Sequence, residues 1–430
     1  MSSSASSLAP ADTASASRAS GEPSGAAPRT PADSLGLAAL SRLTGDAERL
    51  QAVWDQLVTR ATADVADSAA YLDLSTLLLA VGNREKGLEV QAAAIADQPL
   101  YRRPVAGEPT LRVLTFMTPG DFTANTPLDF LLEGSSVEQI NCYIDGPPSP
   151  QDMPAHDLAF LAIGESEEAA PLLAKLENAL AHWPRPVLNA RPQLIAGLTR
   201  DGVAERFVDH PRVLCPTVRR ISRGAAFDLA TGALDIAGLA DGLAWPIIVR
   251  PVGTHAGHGM QKLSAAAELA AYLAEQEGEA FYLTAFHDYS GADGLFRKLR
   301  VVFIQGRPFI AHMAVSEHWM VHYLNADMDQ SEAKRAEEAA MMATFDDGFA
   351  RRHAAAFGDL CAAYPLDYFG IDCAETADGR LLVFEADVAM IVHAMDPEDL
   401  FPYKQPAMRK LFDAFVGCLH AAAQAPPPGA

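Results

Sequence analysis

Three carboxylates in the last quarter of the chain are spaced so that one β-hairpin presses them together. Tyr368 to Ala374 reads as a strand, Asp378-Gly379 as a turn, and Arg380 to Asp387 as the returning strand. Asp-Gly between two apolar runs is a strong hairpin signal. With those two residues as the loop, Asp372 faces Glu385, and Asp387, two residues on, shares their side of the sheet. Opposed side chains stand about 4.5–5.5 Å apart, so like charges there repel. At an effective dielectric of 20 each close pair costs on the order of 4 kcal/mol. A cation is therefore expected among them, and oxygen-only ligands favour Mg²⁺, with Mn²⁺ an alternative. Asp372, Glu385 and Asp387 are the candidate metal ligands. A solvated face with surface Lys or Arg partners is the competing reading, and a one-residue slip would turn Asp372 to the opposite face.

Cations and glycines upstream could complete such a site. Trp245 to Val252 reads as a strand that carries Arg250 near its end and runs into Gly253-Thr254-His255-Ala256-Gly257-His258-Gly259, followed by a return strand at Met260–Leu263. Three glycines let backbone N–H groups wrap an anion, as in phosphate-binding nests. An ordinary glycine-rich hairpin is the alternative. Ala280 to Phe286 is an apolar strand, and Phe296–Ile304 another, turned by Gln305-Gly306 into Arg307–Met313. Lys298 and Arg300, two apart, share a face. Aimed inward beside the carboxylates they would clamp terminal phosphates and a metal; aimed outward they would guard a sheet edge.

The elements that must position these groups follow from the rest of the chain. Residues 1–33 are Ser, Ala, Pro and Gly with almost no large apolar side chain, and are expected to be disordered. Residues 34–103 carry helical periodicity, with two helices near 67–81 and 84–97. Their small residues, a Gly at the turn and a Pro at the exit resemble one tetratricopeptide unit, a contact for a protein partner; a plain helical hairpin docked on the main body is the alternative. From Pro109 strands alternate with helices, which implies a mostly parallel sheet. Strands are expected at 111–116, 137–144, 156–163 and 186–189, with a helix over 167–182. The loop Met117-Thr118-Pro119-Gly120-Asp121 falls at a strand's carboxyl end, where such sheets bind ligands, but no G-x-G-x-x-G accompanies it. The expected division is an α/β unit over 109–200, a second unit over 201–421 and a flexible tail at 422–430.

Composition narrows the function. The 430 residues are 49% hydrophobic and carry a formal charge of −22, which argues against a nucleic-acid partner. No run of about 18 apolar residues predicts a membrane span. Five scattered cysteines without C-x-x-C, and a start lacking a secretory pattern, suit a reducing, cytoplasmic setting.

Taken in order, the strand with its cation, the glycine loop, the apolar linker strand, the K-x-R hairpin and the final D…E-x-D hairpin resemble the ATP-grasp superfamily. The likeness is greatest to the branch with glutathione synthetase and the ligases that add glutamate to ribosomal protein tails, and covers roughly residues 110–415. It implies an ATP-grasp fold behind a Rossmann-like α/β domain, and an ATP-dependent carboxylate–amine or thiol ligase that works through an acyl-phosphate. ATP and Mg²⁺ would be its cofactors, and a small carboxylic acid or peptide plus an amine acceptor its substrates. By the same resemblance, Arg250 stands where a nucleotide-binding lysine is usual, Gly253–Gly259 close over phosphates, and the Tyr282, Thr284, Ala285 and Phe286 backbone meets the adenine edge. Lys298 joins the nucleotide contacts, and Lys298 and Arg300 stabilise the transferred phosphoryl. The resemblance also implies an earlier lysine near the start of the nucleotide domain; it has no clear counterpart around Leu198–Gly202, where Arg200 or Arg206 would substitute. His312, His318, Trp319, Asn325 and His393 are the candidates for the substrate pocket. A small-molecule kinase on the same fold and a non-catalytic nucleotide-binding adaptor are the competing functions; a homo-oligomer is possible.

Overall fold

The computed structural model describes residues 29–254 and 257–425. The expected tail up to residue 28 and the end from 426 lie outside it, as do His255 and Ala256 of the glycine loop. The architecture is α/β, with three sheets among the described residues.

The first sheet holds β1 (Ala32–Asp33), β2 (Leu100–Arg103), β3 (Leu111–Met117), β4 (Val137–Tyr143), β5 (Leu158–Leu161) and β6 (Val187–Leu188) in the order β1-β2-β4-β3-β5-β6. Strands β4, β3, β5 and β6 run parallel, as the alternation with helices requires, while β2 pairs antiparallel to β4. Near-continuous apolar runs in β3 and β5 are buried on both faces.

Three expectations need correction here. Ala32 and Asp33, inside the segment expected to lack structure, pair with Tyr101 and Arg102, and Arg102 donates to the Asp33 carboxylate at 2.6 Å. Likewise residues 34–103 do not stand apart from the α/β unit, because β1 and β2 extend its sheet. Their helices, Ala47–Ala63, Ser68–Ala80 and Arg84–Asp97, dock against it. Tyr101 is fully buried, its hydroxyl 2.9 Å from the Ala94 carbonyl. Short polar strands such as Leu-Tyr-Arg-Arg carry no alternation that would reveal them. At the other end, the helix Lys404–Ala423 runs into the segment expected to be flexible from 422.

The second half contains β7 (Val213–Leu214), β8 (Val218–Ser222), β9 (Ile247–Pro251), β10 (Gln261–Leu263), β11 (Ala280–Ala285), β12 (Phe296–Ile304), β13 (Arg307–Ser316), β14 (Tyr368–Glu375) and β15 (Leu381–Asp387). Four of them form the antiparallel sheet β10-β9-β11-β8, with its own core of Ile221, Val249, Leu269 and Phe281. The others form β13-β12-β14-β15-β7, antiparallel except for the short β15–β7 pairing. The helix Lys404–Ala423 covers one face of the first sheet, Phe415 meeting Phe160 at 6.0 Å and Tyr368 at 5.3 Å.

The carboxylate hairpin reaches the expected register by an unexpected route. Near the turn Glu375 pairs with Leu381, and Thr376 bonds Arg380, so the loop has three residues rather than two. A β-bulge between Asp372 and Cys373 leaves Phe384 as the extra residue on β15 and restores Asp372 opposite Glu385 and Gly370 opposite Asp387.

Candidate functional site

Between the two antiparallel sheets lies a cavity of about 300 Å³. β12 brings Lys298 and Arg300 to it, β14 Asp372, β15 Glu385 and Asp387, and β9 Arg250. The helix Arg200–Arg206, capped by the Thr199 hydroxyl at 3.0 Å from the Gly202 N–H, adds Arg200 from its first turn. Acidic and basic side chains separated by up to 187 positions thus share one crevice.

Their pairing corrects the expected metal triad. Asp372 is nearly inaccessible, and both its oxygens are taken: Lys298 Nζ donates at 2.8 Å and Arg300 Nε and Nη2 at 2.8 and 3.1 Å. Burial opposes its ionisation, but the charges of Arg300 and Lys298 hold the carboxyl well below the usual range. Glu385 is likewise held low, against burial, by its ion pair with Arg200. The repulsion that called for a metal is therefore offset by the chain's own cations. Among the described residues no three His, Cys, Asp or Glu side chains are grouped to hold a metal ion.

Asp387 differs. Its Oδ1 accepts from the Ala389 N–H at 2.9 Å, no ion pair to it forms among the described residues, and burial pushes it up to about 6. Asp387, with the Glu385 oxygen not facing Arg200, leaves two hard donors at the cavity. That set is too small for an all-protein cage, yet it suits Mg²⁺, which is commonly held by one or two carboxylates plus substrate phosphates.

Arg250 is the complementary case. It is 6% exposed, and burial, then the charge of Arg200, pushes its guanidinium down to about 10. Its partners are the Thr254 hydroxyl at 3.2 Å and the Thr254 carbonyl, both neutral. No carboxylate pairs with it among the described residues. A buried cation without a counter-charge is costly, and an anionic ligand would relieve that cost.

The remaining expected residues divide. Gly257, Thr284, Ala285, Phe286, Trp319 and Asn325 line the cavity. Gly253, Thr254, Gly259 and Tyr282 do not: Thr254 is spent on Arg250 and the Pro251 carbonyl, and Tyr282 lies buried in β11. Gly259 has a φ of 64°, and a Cβ there would come within 2.9 Å of Pro251, so glycine is needed for the loop to close. His255 lies outside the described residues. Three substrate candidates fall elsewhere. His312 packs on Tyr323 at 4.9 Å, His318 is exposed, and His393 lies against Phe130 at 5.8 Å while accepting from the Met395 N–H. A strand alternates faces and a loop does not repeat, so composition alone overcounted the histidines.

Sequence reasoning left out Thr123, His287, His322, Met320 and Met390, which also line the cavity, and left Arg200 undecided against Arg206. Arg206 instead donates to the Ala363 carbonyl and covers Tyr364. No local signal singles out Arg200, since a cation in a helix's first turn is disfavoured by the helix dipole; its pairing with Glu385 is tertiary.

No protein-family model matches the chain, and no curated protein matches its sequence. Solved structures give distant likenesses. The RimK domain ATP-grasp protein of Sphaerobacter thermophilus is 15% identical, covering 72% of this chain and 99% of that one, at a TM-score of 0.42. The D-alanine–D-alanine ligase of Bacillus anthracis, solved with ATP, is 12% identical over 73% and 99%, also at 0.42. The ATP-grasp ligase PsnB, solved with its precursor peptide and AMPPNP, is 13% identical over 74% and 99%, at 0.37. Values this low say nothing about activity.

Proposed function

We propose that the chain is an ATP-dependent carboxylate–amine ligase of the ATP-grasp kind. The observation that carries the reading is Arg250, a buried guanidinium without a carboxylate partner among the described residues, at a cavity shared with Arg200, Lys298 and Arg300. A polyphosphate supplies the missing negative charge, and charge-assisted bonds to it are the strong ones. The cavity's Thr284–Phe286 side, with Cys215 and Met260 nearby, suits a flat base against apolar groups.

In the reaction proposed, the γ-phosphoryl of ATP passes to a substrate carboxylate, ADP leaves, and an amine then displaces inorganic phosphate from the acyl-phosphate. Arg300 and Lys298, held rigid by Asp372, offset charge on the phosphoryl oxygens, so the chain contributes position and electrostatics rather than a nucleophile. Glu385 and Asp387 would hold a Mg²⁺ with the nucleotide phosphates, where it would neutralise part of their charge. Asp372 keeps to its two cations.

ADP release from Mg-ATP, measured with an equimolar pool of the twenty L-amino acids, tests the reading. Amine-dependent release is expected. Glu385→Ala is expected to lower it by about 10²-fold or more while the fold survives, since that side chain is partly exposed. Release of a phosphorylated alcohol instead would mean a kinase, and nucleotide binding without turnover an adaptor.

A further inference from the structure

The helical segment between β1 and β2 stands apart from the cations and carboxylates of the cavity, yet it grips a loop that does reach it. After β3, residues 118–126 run across the carboxyl end of the first sheet and bring Thr123 to the cavity beside Asp387, Ala389 and Met390. On the far side of that loop stands Gln91, in the helix Arg84–Asp97 and 6% exposed. Its side-chain amide meets both backbone groups of Gly120: the Gly120 N–H donates to Oε1 at 2.8 Å, and Nε2 donates to the Gly120 carbonyl at 2.9 Å. Arg84 adds an exposed ion pair to Asp121 at 2.9 Å, and Asp121 accepts in turn from the Thr123 hydroxyl at 2.7 Å.

We infer that this segment is a strut for the cavity wall, and that Gln91 is a positioning residue for the ligand bound at the Asp387 end. The loop has little room to settle elsewhere. A Cβ on Gly120 would stand 2.4 Å from that of Ala124, so the backbone turns there as only glycine can. Asn125 bonds both backbone groups of Thr118, at 2.9 and 2.8 Å, and the Thr126 N–H reaches the Ala162 carbonyl at 2.7 Å. On the cavity side the Gly164 N–H donates to the Ala124 carbonyl at 2.9 Å, and a Cβ on Gly164 would meet Ala389 at 2.8 Å. The chain from Gln91 through Gly120, Thr123 and Ala124 to Ala389 is therefore continuous and closely packed. Two hydrogen bonds from a buried amide are a specific connection, and losing them leaves buried polar groups unmet. The ligase reading puts the metal and the nucleotide phosphates at Glu385 and Asp387, so the wall serves the end of the cavity where the phosphoryl group is transferred. That chemistry rests on the ligase reading; the strut itself does not.

The test uses full-length Gln91→Ala and Gln91→Glu, the latter keeping the acceptor for the Gly120 N–H. In ADP release at saturating ATP and amino-acid pool, Gln91→Ala is expected to lower the rate about five- to tenfold, the scale of one lost pair of bonds. The KM for ATP should stay within about twofold, and Gln91→Glu should recover part of the loss. Amide exchange is expected to quicken across 118–126 but not across 372–391. An unchanged saturating rate, or unchanged exchange in the loop, would overturn the strut. A wild-type chain with no pool-dependent release sinks the ligase reading alone. Exchange then decides: quickening confined to 118–126 supports the strut, and no quickening, or quickening spread through the helices, overturns it.

Discussion

Asp372 and Asp73 are both buried carboxylates, and their neighbours send them in opposite directions. Asp372 sits between Lys298 and Arg300 and stays ionised. Removing it with Asp372→Ala leaves two half-buried cations side by side, so a destabilisation of about 3–5 kcal/mol is expected in urea unfolding. Loss of activity in that variant therefore reports folding as much as catalysis. Asp73 accepts from the Ser34 hydroxyl at 2.6 Å and from the Leu35 N–H, yet burial dominates and pushes it up to about 6. Below about pH 4 it is protonated whether the chain is folded or not and costs nothing. As pH rises through 6, the folded state must hold a charge it disfavours, and stability is lost. Wild type should thus lose about 2–3 kcal/mol relative to Asp73→Asn between pH 4 and 7, read from urea unfolding at the two values. Parallel curves for the two proteins would refute the assignment.

Among the elements, residues 317–331, which bring Trp319, Met320, His322 and Asn325 to the cavity, are tied down by a buried knot. Glu338, fully inaccessible in the helix Glu332–Thr344, accepts from the Met313 N–H at 3.0 Å, the Tyr323 hydroxyl at 3.0 Å and the Tyr403 hydroxyl at 2.7 Å. Lys404 balances it at 3.5 Å, bonds Asp396 at 2.9 Å and lies over the Tyr323 ring. Lys404→Met is expected to cost about 3–5 kcal/mol, because Glu338 is left buried and uncompensated. A loss under about 1 kcal/mol in urea unfolding would place the balance elsewhere. The hairpins around this knot were legible in the sequence. β12 matches its expected bounds because Gln305 and Gly306, at φ 48° and 76°, form the two-residue turn that their types suggest. The facing of Asp372 and Glu385 was also legible, although two errors of one residue, in turn and bulge, cancelled. What could not be read was which cation meets which acid. Arg200 and Glu385 lie 185 positions apart, and no local pattern encodes a pairing between a helix and so distant a strand.

For the whole molecule, the front of the chain belongs to the first sheet and cannot be trimmed freely. Removal of residues 1–33 takes away β1 and the Asp33–Arg102 pair, and should cost about 1–2 kcal/mol against a chain starting at Arg29. Equal melting temperatures for the two would show that β1 contributes nothing. The helix Lys404–Ala423 raises a different issue, one of timing. It shields strands made more than half the chain earlier, and Phe160 meets its ring partners Tyr368 and Phe415 only after more than 200 further residues. On a translating ribosome the first sheet would accordingly stand with one greasy flank bare while most of the remaining polypeptide is still being assembled, an interval in which holding chaperones, rather than the fold, must keep nascent copies apart.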